Sequence, residues 1–426
     1  MRWYEWFFPE LDIPRLARRL PSHDLVITDT TLRDGQQGSR PFSKDECIKI
    51  YSILSELDSG SGVIRDIELF PYTPKDREVI KVLRDFGTTP NPIGWVRARI
   101  EDLKLVKECG LDTTVLLTSV SDYHIHYKLK MSRTEAREKF LSAIREGLRM
   151  GLRLKVAMED ITRSDIYGFV LPFIEEILRI SEREGGEVSF KISDTLGLAL
   201  PFPESPLPRG VPRLIRVLIE EMGLRSEQIE FHGHNDFHLV VANHLAAWLY
   251  GASISNCTLM GIGERAGNCP LEAIAIMHSQ LSGERKLNLK ALSKIIDVFS
   301  EMGFRIPEFY PILGENAFKT KAGIHIDGLL KNPAIYLPFD PAIIGRPYSI
   351  EISPYSGRSG IIYWLARKLN IEEWESLKED PRVELAYREM LKIFEEGRTE
   401  PLSEEEALSL LKKYFPELSE VSELCR

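Results

Sequence analysis

Cysteine is scarce and badly placed for pairing in this sequence. The 426 residues contain five, Cys47, Cys109, Cys257, Cys269 and Cys425, widely spaced and with no CxxC among them. That pattern argues against a disulfide framework and against a thiolate zinc site, and it suits a reducing compartment. Long apolar runs are missing as well. The opening stretch MRWYEWFFPELDIPRL is aromatic but carries Glu5 and Glu10, so it reads as neither a secretory leader nor a membrane span, and a cytoplasmic location is expected. There is no basic stripe either: the formal net charge is −9, with Lys and Arg scattered among acids, which leaves a nucleic-acid partner without electrostatic support. Finally, no GxGxxG and no P-loop follows the first candidate strand, which counts against a dinucleotide-binding fold.

What is present is the balance of a globular protein, 43% hydrophobic and 28% charged. The length exceeds one ordinary core and fits a barrel of about 250 residues plus an appendage. From 25 to 281, short β-branched apolar runs alternate with amphipathic stretches, the pattern of repeated βα units. Eight strands are predicted, at 25–30, 63–70, 92–98, 113–120, 153–160, 188–194, 228–234 and 253–261. Helix starts are marked by Ser43, by Thr73 followed by Pro74, and by Ser132 with Glu135 three residues on.

An open doubly wound sheet would show a similar period, so the polar residues decide. In a (β/α)8 barrel they gather at the C-terminal strand ends. Here the apolar runs lead into Arg33 and Asp34, Glu68, Arg97, Ser121 and His124, Glu159 and Asp160, Asp194 and Thr195, His232 and His234, and Glu264 and Asn268. The predicted architecture is therefore an α/β TIM barrel over 25–284, after an N-terminal extension over 1–24. A helix and a Pro- and Gly-rich linker over 285–360 and a small helical subdomain over 361–426 follow.

In FHGHND, His232 and His234 are two residues apart, so both imidazoles leave the same face of a strand. The pair can chelate a divalent ion, with Asp34 supplying a carboxylate. Two buried, hydrogen-bonded histidines are the rival reading. Arg33, beside Asp34, would either stabilise a developing oxyanion or pair with a barrel-end carboxylate such as Glu159.

These residues lie within motifs that resemble the acetyl-CoA-dependent synthases of the DRE-TIM metallolyase superfamily. The motifs are DTTLRDGQQ (29–37), IELFP (67–71), SDYHIHYKLKMS (121–132), MEDITRSD (158–165), SDTLG (193–197), FHGHND (231–236), GIGERAGNCPLEA (261–273), GENAFKTKAGIHIDGLLKNP (314–333) and SGRSG (356–360). The resemblance implies a Claisen-type condensation of acetyl-CoA with a 2-oxo acid, followed by thioester hydrolysis, with Mn²⁺, Mg²⁺ or Zn²⁺ as cofactor. It implies Asp34, His232, His234 and Asn268 as metal ligands, and Arg33, Glu159, His325 and Tyr336 as catalytic residues. Gln37, Arg97, His124 and Thr195 are implied at the substrate, and His325 would reach a neighbouring subunit's site, which calls for at least a dimer. Cys269 adjoins one of these ligands, although packing is its expected role.

Three departures bear on substrate: DGQQ stands for the common DGEQ, His126 replaces a frequent Lys, and the large leucine-sensing domain is absent. GVIRDIELFPYTPKDRE resembles the branch of Re-face citrate synthases, whose acceptor is oxaloacetate, with 2-oxoisovalerate next. Homocitrate or citramalate synthesis is the near alternative and a hydroxymethylglutaryl-CoA-lyase-like retro-aldol cleavage the distant one. Arg97, Lys128 and Arg65 are candidates for binding a second acceptor carboxylate.

Overall fold

The computed structural model describes residues 23–421, so nearly all of the expected N-terminal extension, and Cys425, lie outside the described residues. Eight parallel strands close into a barrel: β1 (Val26–Asp29), β2 (Ile64–Leu69), β3 (Asn91–Arg97), β4 (Thr113–Ser119), β5 (Arg153–Glu159), β6 (Val188–Asp194), β7 (Ile229–Gly233) and β8 (Ile254–Cys257), with β8 pairing back to β1. The predicted strands all form, most with an end trimmed. The last is shortest against prediction because Met260 and Gly261 adopt left-handed φ of 57° and 59°, which turns the chain out of the sheet.

Each strand is followed by a helix: α1 (Lys44–Asp58), α2 (Pro74–Asp85), α3 (Ile100–Glu108), α4 (Arg133–Arg149), α5 (Leu171–Glu184), α6 (Val211–Glu220), α7 (Val240–Leu249) and, after β8, α8 (Leu271–Ser282). Ser43, Thr73 and Ser132 each cap their helix with a reciprocal capping box, Ser132 with Glu135 as expected. Each box satisfies two backbone donors that a helix start otherwise leaves open. Among the described residues no helix is long and apolar enough to cross a membrane.

Inside the barrel the core is not purely apolar. Lys155 (β5) bonds Asp66 (β2) at 2.7 Å and Glu230 (β7) at 2.9 Å, and Lys191 (β6) reaches Glu230 at 3.1 Å and pairs closely with Glu68 (β2). All five side chains are nearly or fully buried. Such charges persist only when each faces its counter-charge. Here the ladder climbs from the floor of the barrel to Glu68, one layer below the C-terminal mouth.

The barrel unit runs through α9 (Lys294–Glu301) to Phe304, and a second compact unit begins at Arg305. Within that second unit, α10 (Gly323–Lys331), α11 (Gly357–Lys368), α12 (Pro381–Glu395) and α13 (Glu404–Lys412) accompany a two-stranded pair, Lys319–Thr320 against Ser349–Ile350. Ile361, Leu365, Met390, Leu410 and Phe415 are buried in its own core. The acids Glu404, Glu405 and Glu406 fall in the first turn of α13 and Lys412 in the last, matching the helix dipole as expected.

Candidate metal centre and active site

At the C-terminal mouth, β1 does not carry Asp34 itself. The chain leaves the strand at Asp29 and enters a tight helical turn, Thr31–Gly35, which is buried throughout. The turn is fastened by Asp29, whose carboxylate accepts from the Thr31 amide at 2.8 Å and its hydroxyl at 2.7 Å. Desolvation pushes the Asp29 carboxyl up to about 7 in spite of those two bonds. This turn aims Asp34 across the mouth.

Opposite, Nε2 of His232 and Nε2 of His234 stand 3.6 and 3.7 Å from Asp34 Oδ2. One ligand atom from each of the three lies within 4.8 Å of the others. Asn268 completes the group: its Nδ2 donates to Asp34 Oδ2 at 2.8 Å, while its Oδ1 is buried with no hydrogen-bond partner among the described residues. An orphaned amide oxygen beside a carboxylate and two imidazoles is the donor set a divalent cation takes, since buried polar atoms ordinarily find partners. The residues present thus fit a metal. Gly267 places Asn268: with φ of 91° and the Gly261 carbonyl 2.1 Å from where a Cβ would stand, only glycine serves there.

Electrostatics keep the set in its binding form. Burial opposes charge on Asp34, but Arg33, His234 and the Asn268 amide overcome it and hold the carboxyl below its usual range. For His232, desolvation, reinforced by Lys191, His234 and Arg33, holds the imidazole well below 6.5; His234 is lowered by burial too, against the pull of Asp34. Both rings are neutral at pH 7, as metal ligation requires.

His232 is also oriented. Its Nδ1 bonds Asn256 Oδ1 at 2.8 Å, and Asn256 Nδ2 donates to Thr28 Oγ1 at 2.9 Å and Glu68 Oε1 at 3.1 Å. Because the amide oxygen faces the ring, Nδ1 carries the hydrogen and Nε2 presents its lone pair to the mouth. The buried charge ladder therefore ends, through Glu68 and Asn256, on a candidate ligand. Sequence reasoning passed over Asn256 and Lys191; the available signal was a polar residue at an inward position inside an otherwise apolar strand.

Arg33 pairs with Asp34 and Glu68, each at 3.4 Å, so it does meet a barrel-end carboxylate as one reading expects, with Glu68 in place of Glu159. Its guanidinium lies 4.8 Å over the Trp95 ring, and its buried Nε has no hydrogen-bond partner among the described residues. Glu159 belongs to a separate cluster: Lys128 Nζ bonds both its oxygens at 2.8 Å, Ser119 donates at 2.5 Å and His124 Nδ1 stands 3.0 Å away. Burial alone would raise its carboxyl, yet His124 and Lys128 bring it down to about 2.

Other expected residues are engaged by the protein itself. Thr195 Oγ1 accepts the Asp160 amide at 2.8 Å, and Gln37 donates to Glu264 at 3.1 Å. Arg97 forks onto Asp102 at 2.8 and 3.1 Å beneath Tyr72. Arg65 does not belong to the mouth: it is the second residue of β2, beside Asp66 and with Arg153 at the opposite end of the barrel. Its expected role with a second carboxylate is corrected accordingly, because a parallel strand delivers its first residues to the floor. In the second unit, the rings of His325 and Tyr336 lie 4.2 Å apart.

Residues 24–299 match the model of the HMGL-like family and residues 312–378 that of the homocitrate synthase post-HMGL domain-like family. The chain is 40% identical to a Citrate (Re)-synthase of Clostridium kluyveri, over 99% of this chain and 95% of that protein. To a 2-phosphinomethylmalate synthase of Streptomyces hygroscopicus it is 39% identical, over 92% and 90%. Among solved structures, an HMG-CoA lyase from Bacillus subtilis superposes with a TM-score of 0.52 at 19% identity, over 68% of this chain and 96% of that one, which is a likeness of fold.

Proposed function

From the premise that this chain belongs to the HMGL-like family, within its acetyl-CoA-dependent synthases, we propose that it condenses acetyl-CoA with a 2-oxo acid and hydrolyses the resulting thioester, with oxaloacetate as the acceptor. The observation that carries the reading is the Asp34, His232, His234 and Asn268 donor set at the barrel mouth, with Arg33 beside it. Mn²⁺, Mg²⁺ or Zn²⁺ held there would supply a Lewis acid for the acceptor's carbonyl oxygen.

The protein's own groups do the rest. His325 takes a proton from the acetyl methyl group, for which an imidazole is suited near neutral pH. The new C–C bond forms to the carbonyl carbon, whose oxygen becomes a hydroxyl. Arg33, permanently charged and stacked on Trp95, stabilises oxygen as charge gathers on it, and its unpartnered Nε is a ready donor. Water then splits the thioester into a carboxylate and the CoA thiol, a step assigned to Tyr336. Glu159, ionised, is an anchor for Lys128 and His124 and not a proton donor at pH 7. Lys128 and Arg97 are the cations at the mouth for a second acceptor carboxylate, with Gln37 and Thr195 at the substrate. The reaction is that of an acyltransferase that turns the acyl group into alkyl, acting in the cytoplasm as a homodimer or larger homo-oligomer.

The lyase reading is disfavoured because residues 312–378 match a post-barrel segment named for homocitrate synthase. The oxaloacetate assignment draws on the 40% identity to a protein named for Re-citrate synthesis. An acceptor panel tests it: with Mn²⁺ and acetyl-CoA, oxaloacetate is expected to release free thiol at least tenfold faster than 2-oxoisovalerate, pyruvate or 2-oxoglutarate. A faster rate with any of the other three reassigns the acceptor, and cleavage of hydroxymethylglutaryl-CoA with no condensation overturns the synthase reading.

A further inference from the structure

Behind the wall that carries His232 lies a second cluster of metal-binding groups that the condensation does not use. Strand alternation points Asn256 inward, to His232, and sends Ser255 and Cys257 outward, toward α7. There His244, from α7, packs its ring on Phe231 at 4.9 Å and bonds Ser255 Oγ through Nδ1 at 2.6 Å. Ser255 Oγ is in turn 3.3 Å from Cys257 Sγ. Cys269 arrives from the loop after β8, held in place where the Thr258 amide donates to its carbonyl at 3.0 Å and the Leu271 amide donates to Thr258 O at 2.8 Å. One ring nitrogen of His244 and the sulfurs of Cys257 and Cys269 all lie within 4.8 Å of one another, and all three residues are fully buried.

This is an odd set to bury for packing alone. Free cysteines pack as small hydrophobes, but an imidazole buried beside them gains little from packing alone. Among the described residues His244 Nε2 is buried without a hydrogen-bond partner, which costs desolvation for no return. The spacing is invisible to motif searches because Cys257 and Cys269 are separated by the strand-to-helix loop and His244 comes from the preceding helix. It is the closed barrel that assembles them.

We propose that His244, Cys257 and Cys269 form a second metal site, for a thiophilic ion such as Zn²⁺, with the Ser255 hydroxyl, 3.3 Å from Cys257 Sγ, as a further oxygen. On binding, each thiol gives up its proton to solvent and each sulfur becomes a thiolate ligand. Sulfur donors favour thiophilic ions, whereas the carboxylate, imidazole and amide donors at the mouth also accept harder ions such as Mn²⁺ and Mg²⁺, so the two sites differ in metal preference. The ion ties the end of β8 to the loop after it. Cys257 follows Asn256, which orients His232, and Cys269 follows Asn268, which bonds Asp34. Occupancy thus steadies both asparagines from behind, a structural role that leaves the mouth open to substrate.

The test uses the full chain stripped with a chelator, then titrated with Co²⁺ and followed by absorbance and metal analysis. Two equivalents are expected to bind, one of them with an intense sulfur-to-cobalt charge-transfer band. Cys257→Ser is expected to weaken that equivalent at least tenfold while the other is retained, and His232→Ala should do the reverse. A single equivalent without the sulfur band overturns the proposal, as does a band that survives in Cys257→Ser and in Cys269→Ser. Should neither variant fold, zinc-edge X-ray absorption on the wild-type chain loaded with two equivalents of Zn²⁺ decides. Sulfur neighbours at about 2.3 Å support the site, and a shell of nitrogen and oxygen alone sinks it.

Discussion

The two faces of the β7–β8 wall make opposite use of the same backbone. Facing in, His232 and Asn256 join a network of charge that runs from Asp66 through Lys155, Glu230 and Lys191 to Glu68. Facing out, Phe231, Ser255 and Cys257 meet α7 in a pocket of sulfur and imidazole, where His244 touches the Phe231 ring and the Ser255 hydroxyl. One residue of register separates hard oxygen and nitrogen donors from soft sulfur donors. The lesson is that a barrel strand can serve two chemistries at once, provided each face has its own means of offsetting desolvation: counter-charges inside, and a bound ion outside.

Breaking the inner face should have the largest consequences. His232→Ala removes a ligand atom and is expected to lower thiol release from acetyl-CoA roughly a thousandfold or more, with the sulfur-lined site still able to take up metal. Arg33→Lys keeps the charge but loses the fork and the stack on Trp95. A fall in kcat of about 10²-fold, with KM for the acceptor changed less, is the expected split in steady-state kinetics.

Glu230→Gln strips Lys155 and Lys191 of a shared partner, which should destabilise the barrel by about 3 kcal/mol at pH 7. The pH signature follows from its lowered pKa: burial resists ionisation, but the two lysines hold Glu230 at about 2. Its stabilising contribution is present above pH ~4.5, the unfolded value, and is lost as pH falls through about 2. Thermal melts across pH 2 to 7 should therefore slope less steeply on the acid side for the variant than for the parent. Asn256→Ala is the smallest cut. It frees the His232 ring and should weaken Mn²⁺ at the mouth by about tenfold in a competition titration, while the charge-transfer band of the outer site is unchanged. Loss of that band instead would show that the two faces are not separable.

Much of this was legible beforehand where a local period carries the information. Alternating apolar runs located eight strands, and serine and threonine caps located α1, α2 and α4. The HxH spacing placed His232 and His234 on one face of a strand, and left open whether they are ligands or two buried, hydrogen-bonded histidines. What stayed hidden depends on closure. Lys191 and Lys155 look like solvent residues until the barrel turns them inward onto Glu68, Asp66 and Glu230. Arg65 looked equivalent to Arg97 until parallel strands assigned them opposite ends. The absence of CxxC argues against a thiolate zinc site in the sequence, and the meeting of Cys257 and Cys269 is invisible there because a turn through Met260 and Gly261 folds the loop back on the strand end.

The central claim is that the barrel mouth condenses acetyl-CoA with a 2-oxo acid through groups that require a divalent cation. Its most direct test is free-thiol release by the chelator-stripped chain with acetyl-CoA and oxaloacetate, measured before and after Mn²⁺ is restored. A negligible rate is expected before, recovery after, equimolar citrate and CoA as products, and no recovery in His232→Ala. Undiminished release in the stripped chain, or none with any 2-oxo acid after Mn²⁺ is returned, would contradict it.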